Sequence, residues 1–120
     1  MKTVMTVDDS VSMRQMVSLV LRGDGYAVVE AVDGEDALAK LGGQELHLVL
    51  ADINMPGIDG IELTRKIRSM AEYKFIPIVL LTTESDPEKK QQGKAAGATA
   101  WIVKPFQPDQ LLAVVKKVMR

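Results

Sequence analysis

Short apolar runs alternate with helix-like patterns along the whole chain. Short apolar runs bounded by polar residues and glycines are typical of buried strands. The runs predict five strands, at Val4–Val7, Ala27–Val29, Leu46–Ala51, Ile76–Leu81 and Ala100–Val103. Because a helical pattern follows each run, the chain is expected to fold as (βα)5, an α/β protein with one parallel sheet covered on both faces.

The helical patterns differ in strength. Four of them carry apolar residues three and four positions apart, which is the spacing of an amphipathic helix. These four are centred on Met13–Leu21, Glu35–Leu41, Leu63–Met70 and Asp109–Met119, the third with Asp59 as its N-cap and Glu62 completing a capping box. The remaining segment, Pro87–Ala96, has almost no apolar stripe and contains Gly93, so we expect a loosely held helix there.

Polar residues follow four of the five predicted strands. Asp8 and Asp9 follow the first strand, Asp52 the third, Thr82 the fourth and Lys104 the fifth. A strand order of 3-2-1-4-5 would hold the first and third strands apart, whereas 2-1-3-4-5 makes strands 1, 3, 4 and 5 consecutive neighbours. We predict the second order, because it alone brings these side chains together at the carboxyl edge, where doubly wound sheets bind ligands.

Three gathered carboxylates require a counter-charge. Two carboxylates about 5 Å apart repel each other by roughly 3 kcal/mol at an effective dielectric near 20, so the group binds either a proton or a cation. Oxygen ligands without clustered histidine favour Mg²⁺. Lys104 and Thr82 add an ammonium and a hydroxyl, and the set together predicts a site for a phosphoryl group.

Composition narrows the class of protein further. The length of 120 residues fits one domain over residues 1–120. The net charge of −1 gives no electrostatic signature of nucleic-acid binding. It has no cysteine, so disulfides and thiolate chemistry are excluded. Its apolar runs are too short to span a membrane, and its N-terminus lacks a signal-peptide core. We expect a cytoplasmic protein without membrane insertion.

Four segments carry a resemblance to a known family. The stretches VDDS, ADINMPGIDG, LLTTES and AWIVKPF resemble the signature segments of the receiver domains of two-component response regulators, in the family's order and spacing. The chain is most similar to the family's single-domain chemotaxis regulators. The resemblance implies a flavodoxin-like doubly wound five-stranded sheet, and it implies that the Lys104–Pro105 peptide is cis.

The resemblance assigns roles to the acidic residues. It implies that Asp52 is the phosphoacceptor, taking a phosphoryl group from a phosphohistidine on a histidine kinase. It implies that Mg²⁺ is bound directly by Asp9 and Asp52, largely through water by Asp8, and by the backbone carbonyl of Asn54.

The resemblance also assigns contacts and a switch. Thr82 and Lys104 are expected to contact the phosphoryl group, and Asn54 and Glu84 to tune its loss. Trp101 stands where the family usually has Tyr or Phe, the side chain whose rotation reports activation. Simple packing of the indole against the fifth helix is the alternative for Trp101.

The expected function is a phosphorylation-activated signalling switch rather than an enzyme, acting as a monomer. Phosphorylation is expected to change the surface formed by the fourth helix, fifth strand and fifth helix, which then binds an output protein in chemotaxis. The flagellar switch is one candidate partner, although the polar fourth helix departs from the pattern of chemotaxis regulators. The alternative is a stand-alone or excised receiver of another phosphorelay.

Two other classes are disfavoured. A Mg²⁺-dependent aspartyl phosphatase needs a second acid beside its nucleophile, and Asn54 occupies the position two residues after Asp52. An FMN-binding protein of the same fold needs a phosphate-cradling first loop, and the acidic DDSVS segment would repel a phosphate.

Overall fold

In a computed structural model that describes residues 1–83 and 87–119, five strands alternate with five helices. The strands are β1 Thr3–Val7, β2 Ala27–Ala31, β3 Leu48–Asp52, β4 Ile78–Thr82 and β5 Ala100–Val103. The helices are α1 Val11–Gly23, α2 Gly34–Leu41, α3 Gly60–Arg68, α4 Pro87–Ala96 and α5 Pro108–Val118, with a short 3-10 helix at Ala71–Tyr73 before β4.

All strands of the sheet are parallel, in the order β2-β1-β3-β4-β5. The strands end within one residue of register with their neighbours, since Val7 pairs with Ala31 and with Ala51, Asp52 pairs with Leu81, and Thr82 pairs with Val103. The predicted fold class and strand order are therefore confirmed. The carboxyl ends of β1, β3, β4 and β5 lie side by side along one edge.

The sheet separates two hydrophobic clusters. One cluster packs beneath α2, α3 and α4 and includes Leu41 and Ile67, and the other packs beneath α1 and α5 and includes Leu21 and Val115. The five β3 residues and the five β4 residues are all buried, because these central strands are covered on both faces. Within the described residues, no helix has both the length and the apolar character of a membrane span.

Strand boundaries differ from the prediction by one or two residues. Leu46 and Ile76 are buried but precede β3 and β4, because apolar character marks burial and not strand pairing. Pro77 stands between Ile76 and β4 and has no N–H to donate to a ladder. β3 and β4 each run one residue further than predicted, so Asp52 and Thr82 lie within the strands.

The start of α3 is capped on one side only. Asp59 Oδ1 accepts a hydrogen bond from the N–H of Glu62 at 2.8 Å, as predicted. The Glu62 carboxylate bonds Arg65 Nη1 at 3.0 Å, which departs from the predicted capping box. The helix ends at Arg68, two residues before Met70, and Met70 precedes the short 3-10 helix.

Helix α4 has the predicted bounds and the predicted polar character. Its buried residues are Gly93 and Ala96. A Cβ at Gly93 would lie 3.0 Å from Leu80 Cδ1, so glycine lets the helix approach β4 closely. Beyond its carboxyl end, the Gly97 carbonyl accepts a hydrogen bond from Arg68 Nε at 3.0 Å. Helix α4 and the turn after it therefore contact the rest of the fold through small residues and the Arg68 guanidinium instead of an apolar stripe.

Candidate phosphoryl and metal site

Three carboxylates meet at the carboxyl edge of the sheet. Asp8 and Asp9 are the first two residues after β1, and Asp52 is the last residue of β3. One carboxylate oxygen from each of the three lies within 4.8 Å of the others. The central positions of β1 and β3 in the sheet produce this convergence, as the strand order predicted.

Lys104 is the cation of this cluster. Its Nζ lies 2.9 Å from Asp52 Oδ2 and 3.7 Å from Asp8 Oδ2, and only 12% of its side chain is exposed. Its backbone N–H donates to the Thr82 carbonyl at 2.7 Å, which places the lysine one position beyond the β4–β5 ladder. The Lys104–Pro105 peptide is cis, as predicted.

Asp8 is buried, and one of its two carboxylate oxygens has no hydrogen-bond donor among the described residues. Its Oδ1 accepts the N–H of Ser10 at 2.9 Å. Its Oδ2 is buried and accepts no hydrogen bond from the residues that the structure describes. Burial raises the pKa of Asp8 above its usual value, and the charge of Lys104 opposes that rise. A buried carboxylate oxygen without a donor is an available cation ligand.

Asp9 and Asn54 lie at the solvent side of the cluster. Both are exposed, whereas Asp52 is 6% exposed. The N–H of Asn54 donates to Asp52 Oδ1 at 3.2 Å, which ties the residue to the carboxylate that it follows. The expected metal contact of the Asn54 carbonyl stays a prediction, and Glu84 lies outside the described residues.

The donor set fits Mg²⁺. All the converging ligands are carboxylate oxygens, and hard oxygen donors are those that Mg²⁺ prefers. Two carboxylates at this separation repel by about 3 kcal/mol at an effective dielectric near 20, which Lys104 offsets only in part. Asp8, Asp9 and Asp52 are therefore able to hold a hard divalent cation.

Thr82 and Trp101 occupy neighbouring strands. Thr82, the last residue of β4, is 5% exposed. Trp101 is half-buried and packs against the hydrophobic cluster beneath α2, α3 and α4. Lys90 Nζ of α4 lies 5.6 Å from the centroid of the indole ring. Trp101 thus contacts the α4 side of the sheet, whereas the packing alternative placed it against α5.

Two residues that shape the site were missed in the sequence. Arg14 Nη1 donates to the backbone carbonyl of Asp8 at 2.8 Å. At Gly60, a Cβ would lie 2.4 Å from the Asp52 carbonyl oxygen, so α3 begins in direct contact with the strand end that carries Asp52. Nothing in the sequence indicated the contact of Arg14, because the residue lies among other polar residues of a helix. A glycine directly after the Asp59 cap was a weak indication that α3 begins close to another backbone.

Known proteins are similar to this chain in sequence and in fold. A profile of the response regulator receiver domain matches residues 4–116. The chemotaxis protein CheY4 of Vibrio cholerae is 50% identical, with a TM-score of 0.95 over 98% of each chain. The response regulator TrrA of Thermotoga maritima, solved in complex with Mg²⁺-BeF, is 36% identical, with a TM-score of 0.87 over 98% of this chain and 99% of that one.

A curated relative is longer than this chain. The transcriptional regulatory protein ResD of Bacillus subtilis is 38% identical over 117 residues, which are 98% of this chain and 48% of ResD. The chain spans about half the length of the first curated relatives that it matches.

Proposed function

The chain belongs to the family of response regulator receiver domains, and from that premise we propose that it is a phosphorylation-activated switch whose phosphoacceptor is Asp52. Receiver domains are phosphoacceptor signalling domains that take phosphoryl groups from histidine kinases. We propose one receiver domain over residues 1–120, with a histidine kinase as phosphodonor and a dependence on Mg²⁺.

The observation that carries the proposal is the arrangement around Asp52. Its carboxylate lies at the sheet edge with Lys104 Nζ at 2.9 Å, and oxygens of Asp8 and Asp9 lie within 4.8 Å. A nucleophilic carboxylate, a cation and a set of hard ligands are thus combined in one place. Phosphoryl transfer depends mainly on positioning and on cations that stabilise the phosphoryl oxygens.

Each residue has a defined part in the proposed reaction. A carboxylate oxygen of Asp52 bonds to phosphorus while the P–N bond to the kinase histidine breaks and its electron pair stays on the imidazole nitrogen. Lys104 and the Thr82 hydroxyl contact the transferred phosphoryl oxygens. Asp9, Asp52 and the backbone carbonyl of Asn54 would hold Mg²⁺ directly, and Asp8 would hold it largely through water. When bound, Mg²⁺ supplies positive charge that offsets these acids and the phosphoryl oxygens.

The protein itself promotes its phosphorylation and its later hydrolysis, without acting as an enzyme on other molecules. Asn54 and Glu84 are proposed to tune the rate at which the phosphoryl group is lost. The exposure of Asn54 next to Asp52 supports its part, since its side chain is open to solvent beside the carboxylate. A Mg²⁺-dependent aspartyl phosphatase is disfavoured because Asn54 cannot act as a general acid.

The proposed output is a change of the surface formed by α4, β5 and α5. Phosphorylation adds charge and acceptor oxygens, toward which Thr82 moves, and Trp101 follows. We propose a chemotaxis role, with the flagellar switch as one candidate partner, supported by the likeness to CheY4. A receiver of another phosphorelay is the alternative, supported by the likeness to ResD.

We further propose that the protein acts in the cytoplasm as a monomer without nucleic-acid partners. The net charge of −1 supports the absence of a nucleic-acid partner.

Phosphorylation of Asp52 is tested by labelling with acetyl phosphate and with a phosphorylated histidine kinase. Wild-type protein should incorporate one phosphoryl group only when Mg²⁺ is present, and Asp52→Asn should not be labelled. Asp109→Asn, which removes an exposed acid at the start of α5, is the matched control and should label normally. Wild-type labelling of Asp52→Asn would refute the assignment, and sustained turnover of a phosphomonoester would favour the phosphatase.

A further inference from the structure

Arg14, near the start of α1, makes two hydrogen bonds that join three parts of the fold. Its Nη1 donates to the Asp8 carbonyl at 2.8 Å, and its Nε donates to Glu30 Oε1 of β2 at 3.1 Å. Only 12% of the Arg14 side chain is exposed. A guanidinium with two fixed acceptors is held in one orientation, because its donors lie in one rigid plane.

The Asp8 carbonyl determines where Asp9 lies. The Asp8 carbonyl and the Asp9 N–H belong to the same planar peptide unit, so fixing one fixes the other. On its other side, Asp8 donates its backbone N–H to the Ala31 carbonyl at 3.2 Å. Within the described residues, no hydrogen bond or ion pair holds the Asp9 carboxylate. The position of the Asp9 backbone, from which its carboxylate extends, is therefore set in part by the contact with Arg14.

Glu30 balances the charge of Arg14. An unpaired guanidinium bonded to the Asp8 carbonyl would oppose cation binding nearby through charge repulsion. The Glu30 carboxylate pairs with Arg14 through Oε1 and with Arg22 through Oε2 at 3.6 Å. The paired guanidinium can thus act as a hydrogen-bond donor while adding little net positive charge close to the acids.

We propose that Arg14 and Glu30 form a positioning pair for the cation site, in which Arg14 aims Asp9 by holding the Asp8 carbonyl. The inference rests on the proposed function, since Asp9 is taken there as a direct ligand of Mg²⁺. Residues that orient the ligands of a metal commonly change its affinity by 10–100-fold when they are replaced. Arg14 does not touch the phosphoryl group and is not a catalytic residue.

The test compares Arg14→Gln with a matched control, Arg22→Gln. Arg22 pairs with the same carboxylate but is 54% exposed, and among the described residues its side chain bonds only Glu30 and the Val28 carbonyl, which lie outside the acid cluster. Mg²⁺ affinity is measured by calorimetry in the absence of any phosphodonor. Arg14→Gln should bind Mg²⁺ on the order of tenfold more weakly, while Arg22→Gln should stay within about twofold of wild type. Glu30→Gln should also weaken binding, and the loss should shrink at high salt because it arises from an unbalanced charge.

A second measurement needs no metal. In amide proton–nitrogen spectra of the metal-free protein, Arg14→Gln should shift the Asp9 resonance strongly, and Arg22→Gln should leave it in place. A merely structural loss of stability would not move this resonance selectively. If Arg14→Gln does not fold, Arg14→Lys replaces it, because one ammonium cannot hold both acceptors in the guanidinium geometry.

The outcomes separate the inference from the proposed function. A folded Arg14 variant with wild-type Mg²⁺ affinity and an unmoved Asp9 resonance overturns the positioning pair. Wild-type protein without Mg²⁺ binding, or Asp9→Ala with undiminished binding, refutes the metal assignment of the proposed function. In that case the Asp9 resonance still decides whether Arg14 orients the β1–α1 loop.

Discussion

Replacing Gly60 by alanine should both destabilise the fold and displace Asp52, the proposed phosphoacceptor. A Cβ at Gly60 would lie 2.4 Å from the Asp52 carbonyl oxygen, about 1 Å short of the 3.4 Å of an ordinary contact. The Ile53 Cα would lie 2.9 Å away, so the neighbours are backbone atoms that cannot turn aside. Either α3 or the end of β3 must move by about 1 Å.

The cost can be estimated from general values. Overpacking of this kind costs about 1–3 kcal/mol, and alanine returns up to about 1 kcal/mol as the better helix former. The two terms leave a net loss in the free energy of unfolding of about 0–3 kcal/mol, and the middle of that range, about 1–2 kcal/mol, corresponds to a fall in melting temperature of roughly 4–8 °C. A displacement of about 1 Å at Asp52 would also disturb its 2.9 Å contact with Lys104, and misplacement of that size can slow a reaction about 100-fold.

The assay combines urea unfolding without Mg²⁺ and the rate of labelling by acetyl phosphate. Gly23→Ala is the matched control, since it lies at the end of α1 and a Cβ there would meet nothing within 4 Å. It should be neutral or stabilising by up to about 1 kcal/mol. The reasoning fails if Gly60→Ala is as stable as Gly23→Ala and is labelled at the wild-type rate.

Three further predictions follow from single contacts. In EDTA, Asp8→Asn should raise the free energy of unfolding by about 1–2 kcal/mol, because it removes a buried charge from the acid cluster; a less stable variant in urea unfolding would contradict this. Hydrogen bonding from the Val32 N–H and the charge of Lys40 lower the pKa of Asp36, so its ionised form stabilises the fold above the unfolded pKa. Asp36→Asn should therefore be less stable near neutral pH, and the difference should vanish as pH falls through the lowered pKa; a pH-independent difference in melting temperature argues against it. Lys90→Gln should increase acrylamide quenching of Trp101, because it removes the cation 5.6 Å from the ring; unchanged quenching would show that Lys90 does not cover the indole.

The sheet order was predictable because chemistry and topology agree. Charged and hydroxyl residues at four strand ends are costly unless they meet, and only one common order brings Asp8, Asp52, Thr82 and Lys104 together. Strand limits were less predictable, since burial extends beyond pairing at Leu46 and Ile76. β2 extends beyond the predicted end at Val29 and includes Glu30, which the apolar pattern excluded because it is charged. Ion pairs of Glu30 with Arg14 and Arg22 allow the charge to lie in the strand.

Long-range contacts of polar side chains were the part that the sequence could not indicate. Arg14 meets the Asp8 carbonyl and Arg68 meets the Gly97 carbonyl, and a backbone acceptor leaves no residue-type signal in the chain. The approach of Lys90 to Trp101 depends in the same way on how α4 lies over the sheet. Patterns of residue types therefore indicated which charged side chains converge at the carboxyl edge of the sheet. The contacts that support them depend on how the helices pack on the sheet.

The small-residue packing of α4 affects how the sequence can change over evolution. Only Gly93 and Ala96 are buried in this helix, so most of its side chains contribute nothing to the two hydrophobic clusters. Substitutions on its outer face therefore cost little folding free energy, in contrast to substitutions in β3 or β4. In the proposed output surface, partner choice can diverge through α4 while the acids at the carboxyl ends of the strands stay unchanged. A duplicated copy of this gene could therefore acquire a new binding partner while its acid cluster stays the same.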